Sequence, residues 1–244
     1  AVKLDPLLSL KNKKNLSDEQ MVNFQKRNLI NNTSPNPSVE TFLHAFLPHK
    51  YVDHTHADAI LDITNRPNGM RICKQIFGPK VGYVPYIMPG FLLAKKVFET
   101  YKKNPNLNCL ILLNHGIFTF SDNAKEAYDL MIKNVSLAES AIKKMKTKKI
   151  KQVKSQKLML KPSDIAPVIR GLLTEPDADN TFIVNFRTNK DIQYFMNGIN
   201  AKKYSHRGTV TPDHVIRIKP YPIIVDMSVA DTIDTFRKRL ETAL

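Results

Sequence analysis

Tyr51-Val52-Asp53-His54-Thr55-His56 is the stretch from which the rest of the chain can be read. Tyr51 and Val52 favour an extended run, and alternate residues of a strand point to the same face. His54 and His56 can therefore aim both imidazoles at one point, which is half of a metal site. Zinc and its neighbours accept imidazole nitrogen readily, and a catalytic site commonly takes three protein ligands and leaves a position open. On the residues alone, the pair also fits two surface histidines on a half-exposed strand.

Upstream lies Pro37-Ser38-Val39-Glu40-Thr41-Phe42-Leu43-His44-Ala45-Phe46-Leu47-Pro48-His49, a short amphipathic segment that carries one carboxylate. Ser38 can cap a helix there, which would put Glu40 in the first turn, where negative charge is favourable. Downstream, Asn108-Cys109-Leu110-Ile111-Leu112-Leu113-Asn114-His115-Gly116-Ile117-Phe118-Thr119-Phe120 reads as a buried strand that ends in a histidine and a glycine. Open α/β sheets place ligands at strand ends. His115 is the best candidate for a third ligand.

Taken together, these stretches resemble the class II aldolase/adducin family, in particular the rhamnulose-phosphate-aldolase-like half of bifunctional aldolase/short-chain dehydrogenase proteins. The resemblance is carried by Pro37 to Thr41, Pro48-His49, Val52 to Ile60, Val84-Pro85-Tyr86, Pro89-Gly90-Phe91 and Asn114 to Phe118. A further block, Thr211-Pro212-Asp213-His214-Val215-Ile216-Arg217, resembles a stretch that those longer relatives carry after the aldolase core. The resemblance implies an α/β fold with a mixed, mainly antiparallel central sheet and helices on both faces, plus a smaller C-terminal α/β extension. It also implies that His54, His56 and His115 hold a divalent metal, Zn2+ first among them, that Glu40 moves the proton, and that Ser38, Asn114 and Gly116 lie at the substrate. The implied reaction is a lyase step of rhamnose catabolism. A ketose 1-phosphate such as rhamnulose 1-phosphate is cleaved, through a metal-stabilised enediolate, to dihydroxyacetone phosphate and a hydroxyaldehyde such as lactaldehyde. Family members commonly form tetramers, so a homo-oligomer is expected. Two alternatives share the fold: a metal-dependent sugar-phosphate epimerase, and an adducin-like scaffold without metal ligands.

One family feature is not found. Residues 1–36 contain no glycine, whereas a phosphate cradle normally uses glycine to let backbone N–H groups converge. Either the chain starts inside the domain or phosphate binding is built differently. No G-x-G-x-x-G dinucleotide pattern occurs among the eight glycines.

The chain of 244 residues can bury a sizeable core. A domain over 1–150 and an extension over 151–244 are expected. No apolar run reaches the roughly 18 residues of a membrane span, and the N-terminus lacks the apolar core of a signal peptide, so a cytoplasmic, soluble protein with no membrane partner is expected. Cys73 and Cys109 have no CxxC partner and read as reduced core residues. The net charge of +15 fits a nucleic-acid partner, but much of it lies in the lysine run over 143–157, which reads as the solvated end of a helix and a linker. No RNP motif or zinc finger accompanies it, so nucleic acid is not the expected partner.

Periodicity and capping predict helices over 17–27, 57–63, 68–77, 91–103, 124–145, 162–171, 191–197 and 231–244, with strands over 81–86, up to 115, 117–120 and 181–186. Residues 1–15 show no clear element. His206 and His214 could form a second polar site with Asp213 and Arg217, although such a cluster after a proline also reads as a satisfied turn.

Overall fold

The computed structural model describes residues 1–146, 149–154, 160–175 and 182–244. They divide into two compact units, Ala1–Met145 with Val210–Ile216, and Lys146–Thr209 with Arg217–Leu244.

The first unit opens with α1 (Leu4–Ser9), α2 (Asp18–Arg27) and α3 (Thr41–Phe46), followed by β1 (Tyr51–Thr55). Then come α4 (Asp58–Thr64), α5 (Gly69–Ile76), β2 (Val81–Val84), α6 (Phe91–Lys103), β3 (Cys109–Leu112), β4 (Gly116–Ser121) and α7 (Ala124–Lys144). Sequence alone assigns no element to residues 1–15, yet α1 forms there. Leu7 is buried in the same cluster as Phe42, Phe46 and Phe91, so tertiary packing supplies what weak local signals do not. The capping box expected at Ser17 is present, with Ser17 Oγ accepting the Gln20 N–H and the Gln20 side chain accepting the Ser17 N–H.

The four strands form one mixed sheet in the order β1-β4-β3-β2. β1 with β4 and β4 with β3 are antiparallel, whereas β2 and β3 are parallel and joined through α6. β2 stops at Val84 rather than at 86, because Pro85 has no N–H to continue the ladder.

Helices cover both faces, and the strand sequences show why. On β3 and β4, Leu110, Leu112, Phe118 and Phe120 join Phe42, Phe46, Phe91 and Val97 on one side. Their neighbours Cys109, Ile111 and Ile117 join Ile60, Ile63, Cys73 and Met131 on the other. A sheet buried on both faces needs apolar residues at every position, not at alternate ones. That accounts for the unbroken run Cys109 to Leu112.

In the second unit the regular structure of the described residues is helical: α8 (Pro162–Leu173), α9 (Lys190–Met196), α10 (Ala201–Ser205) and α12 (Ile233–Ala243). Val168, Phe236 and Leu240 form its small core. α11 (Pro212–Arg217) starts in the segment that groups with the first unit. The strand expected over 181–186 is not formed: residues 182–189 carry no regular structure, and Ile183 is 95% exposed. A β-rich sequence does not make a strand without an edge to pair with. Thr181 lies outside the described residues, as do 147, 148 and 155–157 of the lysine run. Among the described residues no helix is long and apolar enough to cross a membrane.

Candidate metal centre

Glu40 is held by the turn that leads into α3. Ser38 Oγ accepts the Glu40 N–H at 3.1 Å, and the Ser38 carbonyl accepts Thr41 Oγ1 at 2.6 Å and the side chain of buried Gln25 at 3.2 Å. Ser38 is therefore not the cap of α3, as the sequence suggests. Its hydroxyl closes a local turn two residues earlier, and Glu40 itself stands at the N-cap position without bonding the helix. Its carboxylate is left free for other partners.

Those partners are the histidines. His54 lies in β1 opposite Phe118 of β4, and its ring stacks on Phe118 with centroids 4.0 Å apart and planes 10° from parallel. His56 lies one residue beyond the end of β1. His115 ends the three-residue turn between β3 and β4, where Asn114 adopts φ 58, a left-handed conformation that asparagine tolerates better than most residues. Asn114 Nδ2 donates to Asn65 Oδ1 at 3.0 Å, which ties this turn to the end of α4. Gly116 follows, and a Cβ there would lie 3.0 Å from His54 and 3.1 Å from His56. Of the residues expected at the substrate, Ser38 closes the turn that carries Glu40, Gly116 adjoins His54 and His56, and the Asn114 side chain is held by Asn65.

Glu40 Oε1 lies 2.5 Å from His115 Nε2, 3.2 Å from His54 Nε2 and 3.7 Å from His56 Nε2. The His54 and His56 Nε2 atoms are 3.0 Å apart. One ligand atom from each of the four residues fits within 4.8 Å of all the others, so Glu40, His54, His56 and His115 form a cluster that could hold a metal ion. The site is sheltered, with the four side chains between 2% and 16% exposed.

The chemistry of this donor set fits a cation. His54 Nδ1 faces the Ile117 carbonyl at 3.0 Å, and His56 Nδ1 faces Asp213 Oδ2 at 3.0 Å. Both partners only accept, so in each ring Nδ1 carries the hydrogen and the neutral ring turns an Nε2 lone pair inward. Two lone pairs 3.0 Å apart beside a carboxylate oxygen repel unless a positive charge lies among them. His115 differs, because its Nδ1 is buried without a hydrogen-bond partner. No acceptor behind the ring holds a hydrogen on Nδ1, and at 2.5 Å from the Glu40 carboxylate it is Nε2 that donates.

The four groups also act on each other. Burial pushes the Glu40 carboxyl up, but the hydrogen bonds that His115, His54 and His56 give when Nε2 carries a proton outweigh it and hold the group well below the usual carboxylate range. His56 is raised, first by its hydrogen bond to Glu40, against burial, with Asp213 helping.

Residues 9–142 match the class II aldolase and adducin N-terminal domain, and residues 161–244 match the second domain of class II aldolases. The chain belongs to the class II aldolase/adducin family. Class II aldolases use a divalent metal, in keeping with the donor set just described. The chain is 33% identical over 232 residues to the uncharacterized oxidoreductase YuxG of Bacillus subtilis (strain 168), covering 92% of this chain and 33% of that one. It is 46% identical to the solved N-terminal class II aldolase domain of a conserved protein from Thermoplasma acidophilum, with a TM-score of 0.54, covering 58% of this chain and 65% of that one. The chain thus spans a third of the length of the curated relative and just under two thirds of the solved one.

The residues of the second polar site suggested by the sequence are divided between the two units. Asp213 meets His56 of the metal cluster. His214 Nδ1 bonds Thr211 Oγ1 at 2.5 Å. His206 and Arg217 belong to the other unit, where His206 Nδ1 faces the Lys202 carbonyl and the ring stacks on Tyr221. Sequence reasoning missed Asn65, whose role depends on contacts to residues 49 and 145 positions away. Nothing local marks it.

Proposed function

We propose that this chain is a metal-dependent aldolase that cleaves a ketose 1-phosphate, such as rhamnulose 1-phosphate, to dihydroxyacetone phosphate and a hydroxyaldehyde such as lactaldehyde. The observation that carries the reading is the convergence of three imidazole Nε2 atoms on one carboxylate oxygen, with two of the rings fixed in the ligating tautomer. His54, His56 and His115 would hold the cation, most readily zinc given three nitrogen donors. When bound, it supplies Lewis-acid polarisation of the substrate ketone.

Glu40 would carry the proton. In the condensation direction its carboxylate takes a proton from the carbon beside the ketone of dihydroxyacetone phosphate. In the cleavage direction the C4 hydroxyl would lose a proton as the C3–C4 bond breaks and its carbon becomes the aldehyde, and Glu40 would deliver a proton to C3, so that none is gained or lost overall. A carboxylate bonded to three imidazoles is too weak a base for this task. With those nitrogens engaged elsewhere, the hydrogen bonds that hold it low would be released, while burial would still raise it and the cation's own charge would lower it. The Ser38 turn and Gln25 then keep the carboxylate beside the site.

A homo-oligomer, tetrameric by family likeness, belongs to the same proposal and is read by light scattering. The main test combines elemental analysis of the purified chain with a ketose-phosphate cleavage assay. About one zinc per chain and two product fragments would support the reading. An epimer as product would reassign the reaction, and failure to bind zinc even after incubation with it would remove the metal enzyme altogether.

A further inference from the structure

Two of the three imidazoles are oriented from outside the cluster, and they are oriented by different means. His54 Nδ1 meets a backbone carbonyl of the neighbouring strand, at Ile117. No side-chain substitution removes that acceptor. His56 Nδ1 instead meets a side chain, the Asp213 carboxylate, 157 residues away.

Asp213 reaches His56 because its segment leaves the second unit. Val210–Ile216 groups with the first unit, whereas the chain on either side of it groups with the second. Three features pin the segment. Asn65 Nδ2 donates to the Val210 carbonyl at 3.0 Å, Thr211 is 5% exposed, and Thr211 Oγ1 accepts the His214 N–H at 3.3 Å at the start of α11. Asn65 is also the acceptor for Asn114, so one amide connects this segment to the turn that carries His115. Residues 210–216 lie in the sequence matched to the second domain, yet they supply a group that touches a candidate metal ligand of the first.

We infer that Asp213 is a positioning residue: its carboxylate fixes the His56 ring with Nδ1 protonated and Nε2 turned to the metal, making the metal affinity of the first unit depend on a segment of the second-domain sequence. This rests on the reading of the cluster as a metal site. A carboxylate behind a ligating imidazole also increases its basicity, and loss of such a partner typically weakens metal binding about 10- to 100-fold. Asp213 is 62% exposed, and exposed ion pairs add little to folding, so its variants should remain folded.

The test uses the full chain and zinc alone, competed against a chromophoric chelator. Asp213→Ala should lower zinc affinity about 10- to 100-fold with no change in the urea midpoint. Asp213→Asn should recover most of the loss, because its amide oxygen still accepts from Nδ1–H; a purely structural role for the charge would give no such rescue. With Co2+ in place of zinc, the absorption bands of Asp213→Ala should move and those of Asp213→Asn should stay near the parent. Asp213→Ala binding zinc within about twofold of the parent, a difference too small for a lost partner, would overturn the inference while leaving the metal site intact. A parent chain that binds no zinc would overturn both readings together.

Discussion

Gly116→Ala is the substitution that tests most directly how the fold holds the cluster. A Cβ at this position would lie 2.5 Å from the Thr55 carbonyl oxygen, 3.0 Å from His54 Cε1 and 3.1 Å from His56 Cδ2. Ordinary contact begins near 3.4 Å, so the first of these is short by 0.9 Å. The obstructing atom is backbone in a paired strand and cannot rotate away. To accept the methyl, β1 must separate from β4 at Thr55–Ile117, the pair that flanks both histidines. Overpacking of this kind costs roughly 1–3 kcal/mol, and the upper end applies where backbone must move. With a urea slope of about 2–3 kcal/mol/M for a chain of this size, the midpoint should fall by about 1 M. Zinc affinity should fall as well, because His54 and His56 are pushed from their common point. Gly82→Ala is the internal control. Its Cβ would meet Leu110 Cδ2 at 2.6 Å and Leu107 Cδ1 at 2.7 Å, both ends of side chains that can rotate, so it should cost less and leave zinc binding unchanged. A Gly116→Ala protein with the midpoint and zinc affinity of the parent would refute the reasoning.

Three further outcomes follow from the same geometry. His115→Ala should abolish tight zinc binding while the circular dichroism of the parent is kept, whereas Glu40→Gln should retain zinc and lose turnover; zinc binding by His115→Ala equal to the parent would remove His115 as a ligand. In EDTA-treated protein, NMR should show His56 titrating above the ordinary 6.5 and His44 below it, since hydrogen bonding to Glu40 and Asp213 raises the first against burial, and burial lowers the second. His56 then contributes stability that is complete below 6.5 and is lost as pH rises through its raised value, while the neutral burial of His44 is favoured above 6.5 and penalised as pH falls. The opposite order of titration would contradict the assigned contacts. Cys73 is pushed up to about 11 by burial, and burial raises Cys109 as well; with both side chains buried, neither thiol should react with a disulfide reagent near pH 8 until the chain is unfolded, and rapid labelling of the native protein would show that the core around β3 opens.

Much of the first unit was legible because its signals are local. The pattern of α6 appears in residues 91–103 as apolar positions 93, 94, 97, 98 and 101, and the helix spans Phe91–Lys103. The turn at His115 was readable from a buried run that ends in histidine and glycine, since a chain leaving a sheet needs residues that tolerate reversal. The four residues of the cluster were picked out because two of them are sequence neighbours and the family wording supplies the others. Where sequence reading failed, the determinant lay elsewhere in the fold. The β-prone residues 182–186 find no strand to pair with, and the leucines of α1 become a helix only against Phe42 and Phe46.

Asp213 marks where reading the sequence reaches its limit. Its block was recognisable, but its destination was not, because neither spacing nor propensity encodes a contact across 157 residues. The nearest local partners, His206, His214 and Arg217, drew attention to a second site, whereas the fold sends the carboxylate to the first. A candidate ligand such as His56 has two ring nitrogens, and sequence can nominate the ring without saying which nitrogen would face a metal. That choice is made by the acceptor behind the ring. For His54 it comes with the strand pairing, so any sequence that forms β1 and β4 in this register supplies it. For His56 it comes from one side chain on a segment held by Asn65. A chain can therefore keep all three histidines and Glu40 and still bind metal poorly if residues 210–216 are displaced, and this dependence separates a site encoded by its ligands from one encoded by the fold around them.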